Sequence, residues 1–274
     1  MRTAPMVGAN RNHVSALRFA SVGSGELGKE GRPLVIPGVR MRIVFLVALC
    51  AAAVPGCQES GFDEAKETAR PLKVQHLLGE SKVPGQAEAP ASLSVEALDD
   101  TLALDVEPVA ARVPGAKLPA YLRTQAGGLR LLERGAAPPE DADLIIASAP
   151  QSRDQFAELS RLAPTVVIDD GGAQWKLNLR LVGEALGRTN DAEALLTAYD
   201  EQLAQVRKAL PGDAKVAGRF ADDSFAAAVL ADAGVELVPR GQAGAMLTAS
   251  VWSAPGGALA ARAALADLQR VLSK

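Results

Sequence analysis

The stretch Asp143-Leu144-Ile145-Ile146-Ala147-Ser148 is apolar without a break between its acidic first residue and its closing serine. A half-exposed strand alternates polar with apolar. A run that is apolar throughout has to be covered on both faces, as a parallel strand inside a helix-covered sheet is. The neighbouring sequence supplies the covers. Gln151–Leu162 places Phe156, Leu159 and Leu162 on one side of a helix, Pro164 stops it, and Thr165–Ile168 is a second buried strand. Upstream, Ala91–Val95 reads as a strand, Glu96–Leu104 as a helix and Pro108–Ala111 as a strand, with a short strand at Gly128–Leu132. Strand and helix in alternation predict a parallel α/β sheet, whose ligands collect at the carboxyl ends of its strands.

Before this sheet, Pro71–Leu78 alternates as an opening strand turned by Gly79, with His76 packed beside the turn. After it, Trp175–Leu186 is a helix closed by Gly187. A second helix over Asp191–Leu210 carries Ala192, Leu195, Leu196, Tyr199, Leu203, Val206 and Leu210 in one stripe. Asn190 and Glu193 have the spacing of a capping box, and Pro211-Gly212 ends the helix. The remainder holds strand candidates at Lys215–Phe220 and Val235–Val238, with helices at Ser224–Ala233 and Ala258–Leu272. These last stretches are short for an independent domain.

The N-terminal region reads differently. Met41-Arg42 opens an apolar run from Ile43 to Val54 that ends in small residues at Cys57, the layout of an export signal. The run falls short of the roughly twenty residues that span a bilayer. A cysteine at the cleavage zone resembles a lipobox, with Cys57 the lipidated residue and residues 58–70 a polar tether; Pro55 departs from the usual pattern. A signal is read at an N-terminus, so residues 1–40 are expected to be upstream sequence before the true start at Met41. Gly23–Lys29 mimics a phosphate loop, but Glu30 stands where a magnesium-binding Ser or Thr is needed.

Charge and composition narrow the functions. Residues 1–57 hold seven of the 29 basic and two of the 32 acidic residues, leaving 22 and 30, or −8, beyond them. No basic stripe remains to neutralise phosphates, so no nucleic-acid partner is expected. His76 is the single histidine past the signal, and both cysteines lie within it, which excludes a histidine-rich metal centre and a disulfide framework. No nucleophile elbow accompanies His76, and neither an enzyme nor a cofactor is expected.

Local strings, in order, resemble the class III periplasmic binding proteins, the ferric-siderophore and cobalamin receptors of ABC importers. Val74-Gln75-His76 with Leu77-Leu78-Gly79-Glu80 and Val83-Pro84 resembles the opening hairpin of that family, and Pro119-Ala120-Tyr121-Leu122 a later segment. Asp143–Ile146, Leu162-Ala163-Pro164-Thr165, Trp175 with Leu177, Leu181 and Gly187, and Tyr199-Asp200 are similar to further landmarks. Arg219-Phe220, Ser224-Phe225 and Val251-Trp252 are similar to marks of its second lobe.

The resemblance implies two α/β lobes with parallel sheets, residues 71–188 and 211–274, bridged by one long helix over 189–210, the second lobe incomplete. It implies capture of a ferric siderophore for an ABC permease by a monomer held outside the cytoplasm, in the periplasm or its equivalent, on a lipid anchor. Cobalamin or haem on the same fold, and a degenerate relative that binds nothing, stand as alternatives. Tyr121, Arg123, Trp175, Arg219 and Trp252 become ligand-contact candidates, and Glu140 the candidate for docking on the permease. For each candidate a plain role competes: core for the two indoles, solvent for the arginines. Family members usually have more chain between Phe220 and Ser224, and a segment with the second docking glutamate between Met246 and Leu247.

Overall fold

The computed structural model describes residues 70–149, 153–170, 172–253 and 255–273. The expected signal, Cys57, nearly all of the tether and the phosphate-loop lookalike lie outside the described residues.

Strand β1 (Leu72–His76) and β2 (Gly79–Val83) form the expected opening hairpin, registered Leu72 to Val83 and His76 to Gly79. Val74 and Val83 turn inward and are buried. Behind the hairpin lies a five-stranded sheet of β3 (Pro90–Ser92), β4 (Ala110–Arg112), β5 (Leu131–Leu132), β6 (Leu144–Ser148) and β7 (Thr165–Ile168). Its spatial order is β5-β4-β3-β6-β7, and every pairing is parallel. Leu144 to Ala147 have no exposed surface, so the unbroken apolar run does mark a strand covered on both sides. The chain leaves β3 in one direction to lay down β4 and β5 and later returns on its other side for β6 and β7. The reversal between β3 and β6 is a topological switch point.

Helix α1 (Val95–Ala103) follows β3 directly. Ser94 caps it by accepting the Ala97 N–H at 3.1 Å. Helix α2 (Arg153–Leu162) connects β6 to β7 and is thinly covered: Phe156 and Leu159 are half-buried, whereas Leu162 faces solvent at 55 % exposure, against the expectation of a shared apolar face. Helix α3 (Trp175–Ala185) ends at Gly187, whose φ of +70° is the left-handed terminator glycine supplies. Helix α4 (Thr189–Ala209) runs 21 residues, roughly 30 Å, and buries Ala192, Leu196, Tyr199, Leu203 and Val206 along the expected stripe. Its start differs from expectation. The helix begins at Thr189, one residue ahead of Asn190, so no capping box forms; Glu193 reaches sideways and accepts Arg180 Nε at 2.7 Å.

After α4 the chain makes one βαβ unit: β8 (Lys215–Ala217), α5 (Phe225–Ala233) and β9 (Glu236–Val238), with β8 and β9 parallel. Ala245 bridges to Val216 on the other side of β8. Helix α6 (Ala258–Leu272) then packs against α4 and α1. One continuous core joins both sheets, with Trp175, Tyr199 and Phe225 among its largest side chains. The described residues fall within a single compact unit.

Candidate functional site

The carboxyl ends of the five parallel strands open onto a cavity of 770 Å³. Ser94, just past β3, and Ser148, at the end of β6, both line it, which puts the cavity over the switch point. Arg112 at the end of β4, Arg134 past β5 and Asp170 past β7 complete its polar wall with Glu96 of α1. A second cavity of 460 Å³ lies at the ends of β8 and α5, lined by Arg219, Phe220, Arg240, Met246 and Trp252 among others. Pro255 lines both, so the two cavities adjoin at that residue and together make a candidate cleft. These sizes suit a small organic ligand.

Burial acts on the ionisation of two groups on the larger wall. Glu96 is 4 % exposed, and burial pushes its carboxyl up despite a hydrogen bond from Ser94; the charges of Asp170 and Asp99 push the same way. Arg112 gives one guanidinium N–H to the Ala136 carbonyl, while its buried Nε has no hydrogen-bond partner among the described residues. Burial lowers its pKa, since a desolvated cation is disfavoured. An unsatisfied buried donor at a cavity wall is a costly feature that an acceptor on a ligand relieves.

The sequence candidates divide. Arg219 and Trp252 come together on the smaller cavity; Trp252 is 4 % exposed and donates Nε1–H to Asp267 at 2.8 Å. Trp175 is a core residue, 1 % exposed and edge-on to Tyr199 at 4.8 Å between ring centres. Its burial behind the sheet follows from α3 turning that face inward. Tyr121 faces α1 and α6, away from both cavities. Its hydroxyl is buried without a hydrogen-bond partner among the described residues, and burial chiefly, with the charge of Asp99 beside it, pushes its pKa up. Arg123 is exposed and donates Nε–H to the Leu118 carbonyl at 3.4 Å, and Glu140 is exposed on a turn. Neither lines the cleft. Sequence reading missed Glu96, Arg112, Arg134, Asp170 and Arg240. The signal for most of them was position: each except Glu96 closes a strand or follows one within a few residues, where the rule for parallel sheets puts ligands.

His76 and Ser81 also meet, with Nε2 and Oγ 3.0 Å apart. The wiring is structural. Ser81 donates its proton to the Thr165 carbonyl at 2.7 Å, and Nδ1 of His76 accepts the Leu78 N–H at 3.2 Å, which leaves the ring proton on Nε2. His76 therefore donates to Ser81 and cannot draw a proton from it. Among the described residues no group of three His, Cys, Asp or Glu side chains is placed to hold a metal ion, and no helix is long and apolar enough to cross a membrane.

No protein-family model matches the chain. Among curated proteins it is similar to the probable siderophore-binding lipoprotein YfiY of Bacillus subtilis, 24 % identical over 181 residues, covering 63 % of this chain and 56 % of that one. It is also similar to the petrobactin-binding protein YclQ of the same organism, 26 % identical over 187 residues, 62 % of this chain and 58 % of that protein. A putative ABC transporter substrate-binding lipoprotein of that organism, YhfQ, is 22 % identical over 188 residues, with 63 % and 57 % covered. The chain thus spans little more than half the length of the curated relatives it matches. The crystal structure of YclQ superposes with a TM-score of 0.58 at 18 % identity, over 75 % of this chain and 99 % of the solved one.

Proposed function

We propose that this chain, whose fold is that of the siderophore-binding substrate-binding proteins, captures a ferric siderophore and delivers it to an ABC permease. The observation that carries the reading is the 770 Å³ cavity over the β3–β6 switch point, walled by Ser94, Arg112 and Ser148 and continued by the cavity around Arg219 and Trp252. A parallel sheet offers its ligand site there for topological reasons, and the cleft is polar enough to orient a chelate by hydrogen bonds. Residues 71–188 and 211–274 form the two lobes, bridged by the helix over 189–210. Cys57 carries the lipid anchor, outside the described residues, and the protein works on the outer side of a membrane as a monomer. Glu140, exposed on the first lobe, contacts the permease.

The test is fluorescence titration of the full chain with ferric hydroxamate, catecholate and carboxylate chelates, since Trp252 lines the cleft. Saturable quenching by one class is expected. A flat response to all three, from protein shown folded by circular dichroism, excludes the reading in favour of a relative that has lost binding.

A further inference from the structure

Helix α6 is gripped at its head by α1 and holds parts of the cleft in turn. The N–H groups of Ala258, Leu259 and Ala260 in its first turn are taken by Asp100 and Asp99 of α1. Just ahead of the helix, Pro255 lines both cavities. Further along it, Asp267 accepts the indole N–H of Trp252 on the wall of the smaller one. Gly256 and Gly257 join the carboxylates to Pro255 without slack. Both are buried, and a Cβ atom on Gly257 would run into Asp100 Oδ1. One on Gly256 would meet Ala260 and, at 3.4 Å, the ring of Phe225, which also lines the smaller cavity.

Asp99 and Asp100 have no exposed surface, and Glu96, one helical turn earlier, is buried on the larger cavity's wall. Three acids thus run from the cavity to the head of α6, and no cation among the described residues answers them. On the helices packed against α1, Lys176 pairs with Asp232, Arg180 with Glu193 and Arg270 with Asp267, while Glu184 and Arg262 are exposed. Strands β3 and β6 bring no charged side chain, Tyr121 brings a buried hydroxyl, and Asp170 faces Glu96. A carboxyl so placed is easier to keep buried once it carries a proton. Burial accordingly lifts Asp99 from 3.8 to about 6. A conformation with the head of α6 detached would hydrate Asp99 and return it to its ordinary value. The attached form therefore binds the proton more tightly, and attachment gains as pH falls through about 6, levelling off below 3.8.

We propose that Asp99 is a positioning residue for the cleft: by taking up a proton it fastens the head of α6, and with it Pro255 and the Trp252–Asp267 pair. The cleft is firmest in mildly acidic solution and loosens as the proton leaves. The device lies in the fold and holds whatever cargo the cleft takes.

The experiment follows the ligand-free full chain between about pH 7.5 and pH 5, so its outcome is separate from that of the chelate titration. Hydrogen exchange compares the first turn of α6 with β6, whose protection reports opening of the whole fold. The indole N–H resonances of the two tryptophans report the cleft, and Trp252→Phe identifies which belongs to Trp252. On acidification the α6 turn should gain protection on the order of tenfold more than β6 does. The Trp252 resonance should shift with a midpoint at about 6. Asp99→Asn should abolish both effects. Asp100→Asn and Asp267→Asn should keep them, the second because its amide oxygen still accepts the indole N–H. Equal gains in α6 and β6 overturn the proposal, since they report global stability alone. A Trp252 resonance that does not titrate, or whose titration is lost with Asp267→Asn, overturns the link to the cleft. The wild type and Asp267→Asn decide the matter even where Asp99→Asn does not fold.

Discussion

The carboxylate of Asp99 accepts the backbone N–H of Ala260 at 3.0 Å, tying the middle of α1 to the first turn of α6 across 161 residues of sequence. The other oxygen of Asp99 accepts the Leu259 N–H at 2.7 Å, and Asp100 accepts that of Ala258 at 2.9 Å. Two fully buried side chains thus cap a helix that brings no side-chain cap of its own. Asp99 uses both oxygens. Asp100 uses one, and its Oδ2 is buried without a hydrogen-bond partner among the described residues. The two residues are therefore unequal. Asp99→Ala strands two helix N–H groups and should cost about 2–4 kcal/mol. Asp100→Asn keeps the single accepted bond and puts a neutral amide of the same shape where burial and Asp99 favour a protonated carboxyl, so it should be neutral or stabilising. Urea midpoints of the two variants check the order; an equal loss in both would show that Asp100 is ionised in the fold.

The same pair sets a pH dependence. Burial pushes Asp99 up from 3.8 to about 6 against the pull of its hydrogen bonds, and Asp100 is raised further by burial and by Asp99 itself. Neighbouring carboxylates in one dry site cannot both stay ionised, so at neutral pH the pair holds a proton. The folded chain binds protons that the unfolded chain lacks between 3.8 and about 6. Stability from Asp99 therefore rises as pH falls through about 6 and levels off below 3.8. His76 acts with the opposite sign: burial lowers its pKa, so its contribution is lost as pH falls below 6.5. Stability measured at about pH 7.5 and pH 5 in wild type and Asp99→Asn isolates the aspartate. The wild type should gain more than the variant on acidification, by roughly 1–3 kcal/mol. No difference between them would remove the raised pKa from the account.

Two glycines of opposite standing test the packing around α3 and α4. At Gly187 a Cβ atom would sit 2.4 Å from the Gly85 carbonyl oxygen, and the backbone φ of +70° disfavours any side chain. At Gly212, just past α4, a Cβ atom meets nothing within 4 Å. Gly187→Ala should lose about 2 kcal/mol or more, because the backbone carbonyl of Gly85, just past β2, has to move, while Gly212→Ala should stay within about 0.5 kcal/mol of wild type. Thermal melts of the pair decide the matter.

Periodicity carried the sheet. Ala147 and its neighbours in β6 are as buried as an unbroken apolar run demands, and the stripe on α4 is the one that its spacing shows. Where the reading slipped, a local cue met a tertiary competitor. Glu193 has capping-box spacing yet pairs with Arg180, and Leu162 continues an apolar face that nothing covers. The cleft was harder to read. Arg112 and Arg240 have no distinguishing neighbours in sequence; they matter because one ends β4 and the other follows β9, each at the carboxyl edge of its own sheet. Trp175 failed as a contact for the complementary reason. An indole at a helix start looks the same in sequence whether its face turns to the core or to a cleft, and α3 turns it to the core.

That contrast between the two tryptophans gives a direct optical test. Trp252 lines the smaller cavity with its Nε1–H held by Asp267, whereas Trp175 is packed between Tyr199 and Phe225, whose ring centre lies 6.4 Å away. A ferric chelate in the cleft should quench the first indole more strongly, because it makes contact there. Trp252→Phe should therefore abolish most of the ligand-induced fluorescence change. It leaves Asp267 the company of Arg270, so stability should drop by only about 1–2 kcal/mol. Trp175→Phe should keep the ligand response but lose more stability, about 1–3 kcal/mol, since it opens a void at the centre of the core. If Trp252→Phe quenches as fully as the wild type, the ligand does not occupy the half-cleft at the end of β8.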